Sequence, residues 1–183
     1  MSNFKHKFSN ISITLRTGVF ALFIIFMSCS SNKKMGSTDL ISMRENNSTV
    51  NAFISYVDAN RNLPFTHMYI SNALTKLTDA TNAMSDAVGY SVKADLDKSK
   101  EYANKITNDP SETSHADNIR KSADIIAGAL QNLQQAKYPG LANKVLEVKN
   151  AAAAINPETL TLDQRDVVKS FFAKAATLLE KMN

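Results

Sequence analysis

His67 and His115 are the residues beyond position 28 best suited to ligate a metal, because a neutral imidazole nitrogen suits both zinc and copper. Met68 directly follows His67 and adds a thioether, a soft ligand that favours Cu(I). Glu112-Thr113-Ser114-His115 has the Glu-x-x-His spacing of di-iron bundles, but no second copy completes such a centre. No metal or other cofactor is expected; copper or zinc held by His67 and His115 is the alternative. The chain has one thiol, Cys29, so an intramolecular disulfide and CxxC redox chemistry are both excluded.

Other chemistries lack their parts. A serine hydrolase places its nucleophile on a strained turn flagged by GxSxG, and no such motif is present. Phosphate cradles need glycine-rich loops, which are also absent. Glycoside hydrolysis needs two opposed carboxylates, often with aromatics that hold the sugar. Here there is no Trp, and the acids fall mostly on polar helix faces. No catalytic residue is assigned, and the chain is not expected to be an enzyme.

Cys29 follows the apolar run Val19 to Met27 and is flanked by Ser28, Ser30 and Ser31. The run is shorter than the about 20 residues needed to span a bilayer, but it fits the core of an export signal. Lys5, Lys7 and Arg16 supply the positive segment before it. Ser28-Cys29 resembles the end of the signal in bacterial lipoproteins, where cleavage just before Cys leaves it as a lipidated N-terminus. Phe26 and Met27 replace the small aliphatic residues that this family prefers. The resemblance implies removal of residues 1–28, acyl chains such as palmitate on Cys29, and anchorage in the cell envelope. Its most natural site is the cell outer membrane facing the periplasm. An ordinary secretory signal cut nearby and an uncut signal anchor are the alternatives.

The whole chain carries 21 Lys and Arg against 17 Asp and Glu, a net charge of +4. Three of the basic residues and none of the acids lie in residues 1–28, which leaves 18 against 17 and a net +1 for the remainder. The basicity thus belongs mostly to the export signal. No cluster of Lys and Arg interleaved with aromatics follows, so no nucleic-acid partner is expected.

Residues 29–48 form a polar stretch without a sustained apolar period, read as the lipidated Cys and a flexible tether. About 19 such residues reach on the order of 25 Å. From residue 49 to 183 a helical period dominates, and a single domain is expected. Val50, Phe53, Ile54 and Val57 mark a first helix capped by Ser48 or Thr49. Ile70, Leu74, Leu77, Thr81, Met84 and Val88 stripe a second, with Pro64 in its first turn and Gly89 as its stop. Val92, Leu96, Tyr102 and Ile106 stripe a third, ended by Asn108-Asp109-Pro110. Ser111 or Ser114 caps a fourth with Ile119, Ala123, Ile126, Leu130 and Leu133 inward, broken by Tyr138-Pro139-Gly140. Leu141, Val145, Val148, Ala152 and Ile155 mark a fifth. Thr161-Leu162-Asp163-Gln164 has capping-box spacing and opens a sixth through Val168, Phe171, Ala175, Leu178 and Met182. Short connections make successive helices antiparallel. The fold class is all-α, an up-and-down bundle of five or six helices after a signal peptide and tether.

In such a bundle the second, fourth and sixth helices start at the same end. His67 and His115 therefore lie at the same end, with Glu158 and Asp163 in the neighbourhood; a half-buried His67 at its helix start and a solvated His115 are the plainer expectation. The leading expectation is a membrane-anchored, non-enzymatic helical module that binds a protein or envelope partner, with Tyr56, Tyr69, Tyr90 and Tyr138 as possible anchors. The alternative is a periplasmic metal-binding accessory protein using His67 and His115. Leu162-Asp163-Gln164-Arg165, Phe171-Phe172 and the final amphipathic helix resemble small periplasmic domains of heavy-metal efflux systems. The layout of lipid Cys, polar tether and helix bundle is also similar to the decorin-binding lipoproteins of spirochaetes, which implies basic patches that a net +1 does not supply.

Overall fold

Helical periodicity translates directly into packing. The computed structural model describes residues 37–108 and 112–183, with side chains described for 47–108 and 115–183. Among these residues there are six α-helices: α1 (Ser37–Ala59), α2 (His67–Ala87), α3 (Lys93–Asn108), α4 (Glu112–Lys137), α5 (Ala142–Ala153) and α6 (Arg165–Met182). Short 3-10 turns at Pro139–Leu141 and Thr161–Gln164 precede α5 and α6. Each helix packs on the next, α6 closes on α1, and α2 also meets α4 and α6. The fold is an all-α, up-and-down bundle. The expected signal peptide, Cys29, Asp109-Pro110 and the Ser111 cap lie outside the described residues.

The antiparallel order is visible in contacts between helix starts and helix ends. Ser71, early in α2, donates to the carbonyl of Ala103, late in α3, at 2.8 Å. Arg120 of α4 donates to the carbonyls of Ala153 and Ile155 after α5, at 2.8 and 3.1 Å. Lys169 of α6 donates to the carbonyls of Arg61 and Leu63 after α1, at 2.9 and 3.3 Å. One end of the bundle thus holds the starts of α2, α4 and α6 and the connections α1–α2 and α5–α6.

The core is built from the predicted stripes. Phe53, Leu74, Leu77, Ile119, Ile126, Leu130, Leu133, Phe171 and Leu178 are fully buried. Phe171 and Phe172 lie 5.5 Å apart by ring centroid, and Tyr69 meets Phe172 edge-on at 6.0 Å. Such aromatic pairs add about 0.5–1.5 kcal/mol beyond their area. A buried hydroxyl chain joins three helices: Ser99 Oγ of α3 lies 3.1 Å from Thr78 Oγ1 of α2 and 2.7 Å from Ser122 Oγ of α4.

Three boundaries depart from expectation. The first helix begins at Ser37, so residues 37–48 of the expected tether are helical. Leu40, Met43, Arg44 and Glu45 are good helix formers, and neither Pro nor Gly interrupts the segment. The second helix begins at His67, beyond Pro64, because Thr66 is the N-cap and its hydroxyl accepts from the Tyr69 N–H at 3.1 Å. The capping box at Thr161 does not form. The Thr161 hydroxyl is buried without a partner, while Gln164 Nε2 donates to the carbonyls of Asn156 and Thr159, both at 2.8 Å. Gln164 therefore folds the α5–α6 connection on itself.

Gly89 is the expected stop of α2. Its φ of +68° places it in the left-handed region. The Tyr90 N–H donates to the carbonyl of Ser85 at 2.9 Å and the Gly89 N–H to that of Asp86 at 3.1 Å, the paired bonds of a Schellman end.

Candidate functional site

The two histidines meet. His115 Nδ1 lies 3.2 Å from His67 Nε2, and the ring centroids are 4.2 Å apart at an interplanar angle of 79°. They are 48 positions apart in sequence, so only the bundle brings them together. His67 is the first residue of α2, fixed by the Thr66 cap; His115 lies one turn into α4. His115 is 2% exposed, whereas His67 is half-buried. One ring is held in the core and the other reaches solvent in part.

Other members of the expected set do not join them. Among the described residues no group of three or more His, Cys, Asp or Glu side chains converges. Glu158 and Asp163 are exposed on the connection that Gln164 folds back. Met68 is 68% exposed. The Glu112 side chain lies outside the described ones.

Of the four tyrosines read as possible anchors, Tyr69 is buried and Tyr56 and Tyr138 are half-buried. Tyr56 stacks on Tyr69 at 5.7 Å, and its hydroxyl donates to the Tyr69 carbonyl at 3.4 Å. Tyr69 is buried, and burial, reinforced by the neighbouring Tyr56, pushes its phenol up to about 12. Burial also raises Tyr56 and Tyr138. Tyr90 alone among the four is exposed, at 37%.

Sequence reasoning missed a different feature. Leu63 is 52% exposed, Leu160 45% and Leu162 54%, all on the connections at the end that also carries Met68. The signal was present as Leu63 beside Pro64 and as the pair Leu160 and Leu162 among threonines, outside any helical stripe. Large apolar side chains in loops gain nothing from the core and mark a surface that water solvates poorly.

A groove of about 380 Å³ between α1 and α6 is lined by Ile54, Asp58, Arg61, Thr177 and Glu180, among others. Two of its charged groups pair with each other: Arg61 with Asp58 at 2.8 Å. Beside it, a smaller hollow of about 220 Å³ is lined by Tyr69 and Lys169, and that lysine holds the end of α1. Among the described residues no helix is long and apolar enough to cross a membrane. No protein-family model, no curated protein and no solved structure matches the chain.

Proposed function

We propose that this chain is a lipid-anchored protein of the bacterial cell envelope that acts as a non-enzymatic helical binding module. Cys29 carries the acyl chains, and the outer membrane facing the periplasm is its site. The observation that carries the binding role is the gathering of Leu63, Met68, Leu160 and Leu162 at one end of the bundle. The N-terminus of α1 lies at the other end, and at 1.5 Å per residue its 23 residues run about 34 Å. The apolar end is the surface assigned to a protein or envelope partner.

The test is recovery of the membrane-anchored protein with its neighbours, compared between the parent and a Met68→Glu, Leu162→Glu variant. Leu146→Glu is the control, because Leu146 is 54% exposed on α5 away from that end. Loss of a neighbour in the tip variant alone supports the reading. Identical neighbours in all three proteins argue against it.

The His67–His115 contact favours a second reading, a periplasmic metal-binding accessory protein. It uses the same end of the bundle but different side chains.

A further inference from the structure

We propose that the hollow between the end of α1 and α6 is a binding site for a small amphiphilic carboxylate, a short-chain fatty acid in free form. This goes beyond the docking role of Leu63, Met68, Leu160 and Leu162 and uses different side chains. The hollow, about 220 Å³, is walled by Val57, Tyr69, Ser170 and Ala173 and completed by the cations Arg61 and Lys169. Its volume is below the about 300–1,000 Å³ of sites for drug-sized ligands, so a small ligand suits it.

Charge favours an anion. Arg61 is paired with Asp58 at 2.8 Å, so those two add no net charge. Lys169 differs: among the described residues no carboxylate pairs with it. Its ammonium donates to the carbonyls of Arg61 and Leu63 at 2.9 and 3.3 Å and lies 5.9 Å from the centre of the Tyr69 ring. An ammonium has three N–H donors, so one is left for a ligand. The two carbonyls place that charge before any ligand arrives, which lowers the cost of ordering it.

Tyr69 gives a second, independent observation. It is 6% exposed, and its ring packs against Tyr56, Phe65 and Phe172. A buried phenol normally finds a hydrogen-bond partner. Among the described residues the Tyr69 hydroxyl has none, and the hydroxyls sealed from solvent without one are those of Ser85 and Thr161. The Tyr69 hydroxyl therefore reaches the hollow that this residue lines, as an unused donor. Burial pushes the phenol up to about 12, so at neutral pH it presents O–H and not a phenolate that would repel an anion. A carboxylate then takes one hydrogen bond from Lys169 and one from Tyr69, with its apolar chain against Val57 and Ala173. The groove of about 380 Å³ shares Val57, Arg61 and Ala173 with the hollow and continues along α6 toward Thr177, which leaves room for the chain.

The experiment titrates the full chain, in a non-ionic detergent, with butanoate, hexanoate and hexylamine and follows amide NMR shifts. Hexylamine has the same chain with the opposite charge and reports any partition of the chain into detergent. Tyr69→Phe, Lys169→Gln and Lys149→Gln are run beside the parent. Lys149 bonds to Gln131 and lies outside the hollow, so its variant is the control. The expected result is saturable binding of hexanoate with a Kd of about 1 mM or tighter. Butanoate should bind more weakly, by at most about fourfold for each methylene removed. Hexylamine should not saturate. Tyr69→Phe keeps the packed ring and should weaken hexanoate about tenfold, the low end for a hydrogen bond to a charged group, and Lys169→Gln by at least as much. Lys169 also holds the end of α1, so Tyr69→Phe decides the matter by itself. No saturable binding of hexanoate below about 10 mM, equal binding of hexylamine, or a Tyr69→Phe affinity within twofold of the parent overturns the proposal.

Discussion

Ser99→Ala removes the middle of the hydroxyl chain that ties α2, α3 and α4 together. The Ser99 side chain is fully buried and contacts Thr78 Oγ1 at 3.1 Å and Ser122 Oγ at 2.7 Å. Neither neighbour is left without an acceptor: Thr78 still donates to the carbonyl of Leu74 at 2.8 Å and Ser122 to that of Ser99 at 3.4 Å. The full penalty of a stranded donor is therefore avoided. What is lost is two net hydrogen bonds at about 0.5–1.5 kcal/mol each, so about 1–3 kcal/mol is expected. For a body of this size that is a fall in Tm of about 2–12 °C. Ser122→Ala removes one bond and should cost about 1 kcal/mol. Because the two share a contact, the double variant should show a coupling of about 0.5–1 kcal/mol. Urea unfolding followed by circular dichroism measures all three. A Ser99→Ala cost below about 0.3 kcal/mol together with zero coupling would refute the bonded chain.

Two glycines should respond in opposite directions, read by the same unfolding assay. Gly89→Ala forces an L-residue to φ +68° and should cost about 1–2 kcal/mol although nothing lies within 4 Å of the added Cβ. Gly128→Ala, inside α4 with the same open space, should stabilise by about 0.5–1 kcal/mol. Tyr69 sets an alkaline limit. Its folded pKa is raised from 10.0 to about 12, so folding favours the protonated phenol. That contribution is complete below pH 10.0 and lost as pH rises through about 12. Stability measured across this window should fall less steeply in Tyr69→Phe than in the parent, and equal slopes would contradict the assignment.

The stripes were legible because a buried helical face repeats every three or four residues, and Val50, Leu74, Leu130 and Phe171 all lie where that period puts them. The placement of His67 and His115 at one end was legible for a related reason: in an antiparallel bundle, alternate helices start at the same end. That His115 is buried and touches His67 was not. Their intended companions were not, because the path of the α5–α6 connection depends on Gln164 bonding back to Asn156 and Thr159. Local spacing suggested a cap instead. The start of α1 was hidden because the sequence of residues 37–48 carries no apolar stripe, and helix propensity alone leaves a faint pattern. Ser99 and Ser122 escaped notice since a hydroxyl reads as a surface residue until a second and third helix bring partners to it.

Anchorage by Cys29 underlies the whole account, and metabolic labelling with a fatty-acid analogue tests it most directly. Cells expressing the parent or Cys29→Ala are labelled, and the protein is recovered and run on a gel. The chain has one Cys, so no other residue can form the thioether. The account predicts a labelled, processed parent and an unlabelled variant that stays at precursor size. Equal label in both proteins, or none in either, would contradict it.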